Sequence, residues 1–442
     1  MTLENSFNQL IETLLIEKTV TEEFTLRLSS EHSQFTRFNH GKVRQTGVVA
    51  DGSIELTLME NQRRSFRCFP LTGNREIDSL AAHTALLELR QELPVLPLDP
   101  YLVLPSGNNI SREVNSGQLL PQESVVTTIL AQVGDLDFTG LYAGGLVIKA
   151  YADSQGQKHW FTTDTFTLDY SLFDTCGQAV KVILAGSHWD DSAYIAKMSA
   201  AKTQLELLSR PAKQLTPGRY KTYFAPAAVA DLLDMLSWSA VSEADLQQGN
   251  SALAMLSRQE KQLSPRFSLT ENFQQGFVPR FNQLGEMVAP ELPIITQGVL
   301  VNTLVNSRTA KEYGKVANGA NSSETLRSPH ISPGNLGVDE ILRSLDTGLY
   351  ISNLHYLNWS DRPTGRITGM TRYACFWVEQ GEIIAPIENL RFDESLYRFW
   401  GDNLVEFTNF QEFIPDVGTY ESRQLGGSLV PGMLVNDFTY TL

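Results

Sequence analysis

Residues 373–387 read YACFWVEQGEIIAPI, two apolar runs separated by the pair Gln380-Gly381. Glycine accepts the positive φ that a tight hairpin turn requires, so this segment predicts a β-hairpin. Upstream, residues 348–352 read GLYIS and predict another strand, and residues 361–365 read DRPTG, which is a turn by composition. A short helix over residues 339–345 precedes them. This part of the chain therefore predicts a β-meander within a β-rich core.

Strand-like and helical patterns alternate in the first half of the chain. Residues 3–15 repeat apolar side chains at helical spacing, and residues 23–69 contain strand-like runs. The turns predicted between those runs are Asn39-His40-Gly41, Asp51-Gly52 and Glu60-Asn61. A helix is predicted over residues 75–93, and its expected apolar face consists of Ile77, Leu80, Ala81, Thr84 and Leu87.

Residues 210–218, rich in Pro, Gly and basic side chains, predict a linker. Beyond it, a helix over residues 227–239 is followed by short strands and Gly/Pro/Asn turns. The sequence thus predicts an α+β protein, with an N-terminal α/β sandwich domain over residues 1–210 and a β-rich, pseudo-barrel C-terminal domain over residues 219–442.

Composition narrows the class of protein. A chain of 442 residues is too long for one ordinary core, and its net charge of −15 argues against a nucleic-acid or anionic-membrane surface. No run of 18 apolar residues and no basic leader at the N-terminus is found, so we expect a cytoplasmic protein without a membrane span. Three widely spaced cysteines, Cys68, Cys176 and Cys375, predict buried, reduced thiols.

Several segments, taken in order, resemble the TldD/PmbA (TldE) family. They are GVLVNTL at residues 298–304, SRTA at 307–310, Asn318-Gly319, GLYI at 348–351, Thr364-Gly365 and WVEQGEI at 377–383. The resemblance extends from about Pro217 to the C-terminus, with a weaker trace before it. It is their common order, rather than any one segment, that makes the resemblance specific.

Catalytic members of that family place a zinc-binding His-Glu-x-x-x-His on the helix that corresponds to residues 227–239, with a further Cys ligand nearer the C-terminus. Here that helix contains no histidine, and no cysteine follows Cys375. The sequence therefore predicts no zinc site, no cofactor and no catalytic residues. The family's acidic loop corresponds to residues 281–285, FNQLG, in which both carboxylates are gone. The pair Asp231 and Asp234 has two interpretations: an oxygen-rich site for Mg²⁺ or Ca²⁺, or the solvated face of a helix.

The resemblance implies a non-catalytic, TldE/PmbA-like subunit whose partner is a zinc-containing TldD-like paralogue, the pair enclosing a cavity for unfolded peptides. Members of the family are named modulators of DNA gyrase. We expect peptide binding by strand addition at Gly298, Val299, Leu300 and Asn302, a segment with the pattern of a core strand as well. The alternative is a stand-alone homodimeric peptide-binding protein. A dimer surface could come from the aromatic cluster of Phe399, Trp400, Phe407, Phe410 and Phe413, unless these side chains fill the core.

Overall fold

A computed structural model describes residues 2–441. The N-terminal region contains one seven-stranded sheet and four helices. Its elements are α1 (Leu3–Glu17), β1 (Glu23–Asn39), β2 (Lys42–Glu60), β3 (Arg63–Pro70), α2 (Arg75–Glu92), β4 (Ile110–Asn115), α3 (Val125–Leu130), β5 (Asp137–Asp153), β6 (Lys158–Phe173), β7 (Ala179–Gly186) and α4 (Asp191–Leu208).

The C-terminal region contains a thirteen-stranded sheet and five short helices. Its elements are β8 (Gly218–Phe224), α5 (Pro226–Ser237), α6 (Glu243–Gln247), α7 (Ala254–Ser257), β9 (Leu269–Asn272), β10 (Glu291–Thr296), β11 (Val299–Leu300), α8 (Ser307–Tyr313), β12 (Pro329–Ile331), α9 (Ile341–Leu345), β13 (Gly348–Ile351), β14 (Asn353–Asp361), β15 (Arg366–Arg372), β16 (Phe376–Glu379), β17 (Glu382–Pro386), β18 (Arg391–Ser395), β19 (Leu404–Pro415) and β20 (Gly427–Tyr440).

The N-terminal sheet has the strand order β3-β2-β1-β5-β6-β4, with β7 also paired to β6. Alternation along β1 sends Phe24, Leu26 and Leu28 to one face, where they pack with α1 and α2. The intervening side chains, which include Arg27 and Ser29, point to the other face. One face of these strands is therefore an apolar core, and the opposite face is polar.

The C-terminal sheet follows the path β11-β10-β9-β12-β20-β8-β13-β16-β17 and branches at β20. Its β16–β17 hairpin turns at Gln380 and Gly381, which have φ of 52° and 79°, as the sequence predicts. The α+β class is confirmed. Within residues 2–441 the two ends of the path do not pair, so the sheet is open and forms no closed barrel.

Two local predictions are wrong. The expected turn at Asp51-Gly52 is absent from the described chain, because β2 continues through it with Gly52 opposite Ser30 and Asp51 opposite Glu31. Pairing along the whole length of β1 holds these residues in extended conformation. In addition, Cys68 and Cys176 are exposed and only Cys375 is buried.

The predicted apolar face of α2 is also wrong. Ile77, Leu80 and Leu87 are exposed, whereas α2 buries Ala82, Ala85, Leu86 and Leu89. These four residues have the same helical spacing as the predicted set, so periodicity did not distinguish the two faces. The packing on α1 selects the face with two alanines, which allow the helices to approach closely.

Candidate functional site

Two adjoining cavities, of about 670 and 570 Å³, form a cleft between the two regions. Both are lined by Arg27 and Glu55 from the N-terminal sheet and by Asn282 and Gln283 from the C-terminal region. We call the larger one the inner cavity and the smaller one the outer cavity. Clefts of this size between structural units are the usual location of ligand sites.

The polar face of the N-terminal sheet forms the floor of the inner cavity. Strand register places Glu55 of β2 opposite Arg27 of β1, and Lys149 of β5 opposite Ser29. Arg27 Nε donates to Glu55 Oε1 at 3.1 Å, and Lys149 Nζ donates to Ser29 Oγ at 2.6 Å. Burial lowers the pKa of Lys149. The floor is thus a charged, hydrogen-bonding surface held on rigid strands.

A tight turn centred on Asn282 separates the inner cavity from the outer cavity. The Asn282 Oδ1 atom accepts the backbone N–H groups of Leu284 and Glu286 at 2.9 and 3.1 Å, and its Nδ2 donates to Ala320 O at 2.9 Å. This turn lies in residues 281–285, the segment for which the resemblance implied an acidic loop in other members of the family. Asn282 therefore has a structural role here, as the acceptor that closes the turn.

The loop between β19 and β20 inserts Arg423 into the N-terminal sheet. Its guanidinium donates to Ser33 Oγ at 3.3 Å, to Gly145 O at 3.2 Å and to Thr165 Oγ1 at 2.5 Å. Its backbone N–H donates to the buried carboxylate of Glu31 at 3.3 Å. Arg423 is only 4% exposed, and burial lowers its pKa. This side chain joins the two regions at one end of the inner cavity.

Arg327 belongs to the C-terminal wall of the inner cavity. Its guanidinium donates to three backbone carbonyls, those of Pro279, Phe281 and Gly319, at 3.2–3.3 Å. The backbone N–H of the same residue donates to the buried carboxylate of Glu271. Arg327 therefore fixes the loops of that wall, and burial lowers its pKa.

The outer cavity is covered by the segment that follows α2. Asp99 in this segment forms an ion pair with Arg308 of α8, and Lys311 Nζ donates to Leu102 O at 2.8 Å. The Arg308 guanidinium lies 5.7 Å from the ring centre of Tyr101. Side chains of α8 thus hold this cover in place from the C-terminal region. No motif in the sequence indicated that the segment after α2 would cover this cavity.

Helix α5 is the helix for which the resemblance implied a zinc motif in catalytic members; it carries Asp231 and Asp234 and no histidine. Asp234 lines the inner cavity, whereas Asp231 is half-buried and accepts the Leu354 N–H at 3.0 Å. Burial raises the pKa of Asp231 to about 7, an effect that the Leu354 hydrogen bond opposes and the nearby Asp234 reinforces. The interpretation as a solvated face therefore describes Asp234 but not Asp231.

Helix α5 itself does not fit a zinc centre of the His/Cys type, since the metal-binding side chains that it carries are the carboxylates of Asp231 and Asp234. Across residues 2–441, no three or more His, Cys, Asp or Glu side chains are grouped so that they could hold a metal ion. The Mg²⁺ or Ca²⁺ interpretation of Asp231 and Asp234 consequently lacks further ligands in that part of the chain.

The predicted peptide-binding residues do not line either cavity. Val299 and Leu300 form the two-residue strand β11, which is the end strand of the sheet and pairs with β10. Val299 is 58% exposed. Gly298 has a φ of 79° and leaves no room for a Cβ atom beside Leu263 O, and Asn302 Nδ2 donates to Pro293 O at 2.7 Å. An end strand has a free edge, so strand addition here stays a prediction.

The aromatic cluster proposed for a dimer surface lies mainly in the core. Phe399, Trp400 and Phe407 are fully buried, and Phe410 and Phe413 are partly buried. Trp400 stacks on Phe267 with ring centres 4.8 Å apart. Three of the five side chains therefore fill the C-terminal core and offer no surface to a partner.

The helices among residues 2–441 include none that is long and apolar enough to cross a membrane.

Comparisons with known proteins agree with this architecture. The sequence profile described as the PmbA/TldA metallopeptidase C-terminal domain matches residues 217–442, just over half of the chain. Over 144 residues the chain is 28% identical to a protein named Metalloprotease PmbA from Escherichia coli O157:H7. That alignment spans 32% of this chain and 29% of the relative.

Three solved structures share the fold. A proposed modulator of a DNA gyrase from Thermotoga maritima superposes with a TM-score of 0.77 at 15% identity, and TldE from Thermococcus kodakarensis with 0.76 at 12%; each comparison covers 100% of both chains. A proposed modulator of DNA gyrase from Bacteroides thetaiotaomicron gives 0.78 at 17% identity, over 99% of this chain and 98% of the other. The fold is of the α+β class, with a cleft between its two regions, and the matched profile describes a domain of a metallopeptidase family. The chain belongs to the TldD/PmbA (TldE) family.

Proposed function

We propose that this chain is a non-catalytic, TldE/PmbA-like subunit of a peptidase assembly, in which a TldD-like paralogue supplies the zinc and this chain binds unfolded peptide. The observation that supports the proposal is the polar cleft faced by a helix, α5, whose sequence lacks the His-Glu-x-x-x-His. Family membership supports the choice of a peptidase partner and of a peptide ligand.

The cleft is chemically suited to an extended peptide. Its floor and its walls present hydroxyl and amide groups from Ser29, Ser53, Gln283 and Thr325, which can pair with the backbone N–H and C=O groups of a peptide. A peptide in the inner cavity would continue toward the outer cavity past the Asn282 turn. Binding of this kind uses the backbone groups of the peptide, so it tolerates many different peptide side chains.

The test combines this chain with a His-Glu-x-x-x-His paralogue from the same organism. We expect fluorescently labelled unfolded peptides to bind this chain alone and to be cleaved only in the mixture, with the zinc in the paralogue. Cleavage by this chain alone, or one tightly held zinc per chain, would overturn the proposal. If the chain forms a homodimer that binds peptide and no paralogue associates with it, the stand-alone alternative is correct.

A matched pair of variants locates the binding. Ser53→Trp places a large ring on the floor of the inner cavity and should weaken peptide binding at least ten-fold. Ser199→Trp, on the exposed surface of α4, lies outside both cavities and should leave binding unchanged. Equal binding by both variants would place the peptide elsewhere, and the β11 edge would then be the next site to test.

We further propose that residues 1–210 and 219–442 fold as separate domains. The two sheets exchange no strand in the part of the chain that the structure describes, and the connection between α4 and β8 is irregular. Against this, α4 packs with Ala374 and Phe376 of the C-terminal region in one core cluster. Limited proteolysis should cut first within residues 210–218, and stable products with other boundaries would contradict the division.

A further inference from the structure

Three of the cationic side chains that line the inner cavity, Lys149, Arg327 and Arg423, have no carboxylate partner. Among residues 2–441, no Asp or Glu oxygen lies within 4.0 Å of their charged nitrogens. Arg27, the fourth cation of the cavity, is paired with Glu55. The lining contains four cations and three carboxylates, in a chain whose net charge is −15. The formal charge of the lining is therefore 4 − 3 = +1, in a chain that is negative as a whole.

Lys149 differs from the two arginines in how its donors are used. Arg327 and Arg423 each donate to three oxygen atoms of the protein. The ammonium of Lys149 has three N–H donors and, within the described chain, one hydrogen-bond acceptor, Ser29 Oγ. A charged group in a half-buried position is costly unless it is paired. Of the three cations without a carboxylate partner, Lys149 is therefore the one that keeps unused donors for a ligand.

The neighbours of Lys149 complete an acceptor-binding surface. Ser53 lies opposite Ser29 in the β1–β2 register, and Arg27 is two residues along β1 on the same face. Arg27 uses its Nε and Nη2 groups on Glu55, and among residues 2–441 no acceptor is found for its Nη1. An ammonium, two hydroxyls and a guanidinium edge are the donors that a carboxylate binds in proteins.

Two carboxylates on the opposite wall restrict where an anion can bind. Asp234 and Asp416 both line the inner cavity, and the pKa of Asp234 is raised, by burial first and by Asp416 second. They repel a carboxylate from that wall, so an anionic group is directed to the floor beside Lys149. The same two side chains attract the N–H groups and cations of the rest of the ligand.

We propose that Lys149 and Ser29, assisted by Arg27, form a carboxylate-binding subsite on the floor of the inner cavity. The ligand group is either the C-terminal carboxylate of a bound peptide or an acidic side chain within it. This inference rests on the proposed function, because it specifies which peptides the cleft prefers. It adds a chemical preference to binding that otherwise depends on backbone groups.

Three acetylated hexapeptides of otherwise equal sequence test the subsite by fluorescence anisotropy: one amidated and neutral, one with a free C-terminus, and one amidated with a central glutamate. We expect at least one of the two carboxylate peptides to bind the wild-type chain about ten-fold more tightly than the neutral one. The preference should shrink as salt is raised, because the interaction is ionic. Which peptide gains identifies the source of the carboxylate.

Lys149→Met should abolish that preference, so that the variant binds the three peptides with equal affinity. Lys158→Met, on β6 and outside both cavities, is the matched control and should keep the preference. Lys149→Gln repeats the test if the methionine variant does not fold. Equal binding of all three peptides by the wild type, or a preference that survives in Lys149→Met, would overturn the subsite and leave the proposed function standing. Failure of every peptide to bind would overturn both.

Discussion

On one wall of the cleft, Arg27, Ser29 and Lys149 stand on neighbouring strands, and strand register alone fixes their spacing. On the other wall, Asn282 and Arg327 stand on loops that are held by hydrogen bonds to distant backbone groups. The strand wall depends on the apolar core behind it, whereas the loop wall depends on single buried polar contacts. The two walls should therefore respond differently to mutation, and four measurements examine this contrast.

The largest effect should come from the core that supports the strand wall. Leu86→Ala removes a fully buried side chain of α2 from the cluster formed with Leu26 and Leu28, and should lower the free energy of unfolding by ~2–5 kcal/mol. Leu80→Ala, on the face of α2 that we predicted to be buried, should cost less than ~0.5 kcal/mol because Leu80 is 67% exposed. Urea denaturation measures both. Equal losses would mean that α2 packs through the other face.

The next effect comes from the contact that joins the loop wall to the strand wall. Arg423→Met leaves the buried hydroxyls of Ser33 and Thr165 without their donor and removes the positive charge near the buried Glu31 carboxylate, which keeps only the backbone N–H of residue 423; it should cost ~2–4 kcal/mol. Arg44→Met, on the exposed part of β2, is the control and should be close to neutral. If the double variant Glu31→Gln/Arg423→Met is no more stable than Arg423→Met alone, the unpaired Glu31 charge is not a source of the loss.

A smaller change in stability, this time a gain, is expected on substitution of Asp231. Its folded-state pKa of about 7 lies above the ordinary value of 3.8, so the folded protein holds a proton there that the unfolded chain has released. The contribution of this carboxyl group to the free energy of unfolding therefore decreases as pH rises from about 4 to about 7. Asp231→Asn keeps the acceptor for Leu354 and should stabilise the protein by ~1–3 kcal/mol at pH 8 but hardly at pH 4. Thermal melts at the two pH values measure it, and equal shifts at both would contradict the assignment.

The smallest effect belongs to the Arg27–Glu55 ion pair of the strand wall. Both side chains are about one-third exposed, so solvent screens the pair and a double-mutant cycle with Arg27→Met and Glu55→Gln should give a coupling of ~0.2–1 kcal/mol. The coupling should decrease in high salt. A coupling above ~2 kcal/mol would show that the floor, like the loop wall, relies on individual polar contacts.

Local sequence patterns predicted much of the secondary structure. The turn at Gln380-Gly381 follows from glycine's access to positive φ, and the helix predicted over residues 227–239 is observed as Pro226–Ser237. The absence of His-Glu-x-x-x-His from that helix is visible in the letters of the sequence. Where two patterns competed, as on the two faces of α2, the sequence offered no means of choosing.

The sequence by itself determined the α+β class, the linker-like composition of residues 210–218, the resemblance to the family, and the absence of a His-Glu-x-x-x-His from the helix after β8, since each depends on neighbouring residues or on residue identity. Only the tertiary structure decided which residues meet in the cleft. Arg423 lies 392 residues after its partner Glu31, and Lys149 lies 120 residues after Ser29. Contacts of this separation depend on the pairing of β1 with β5 and on the insertion of one loop into the other region. Neither depends on a local pattern, because the free energy that selects them comes from packing the whole chain.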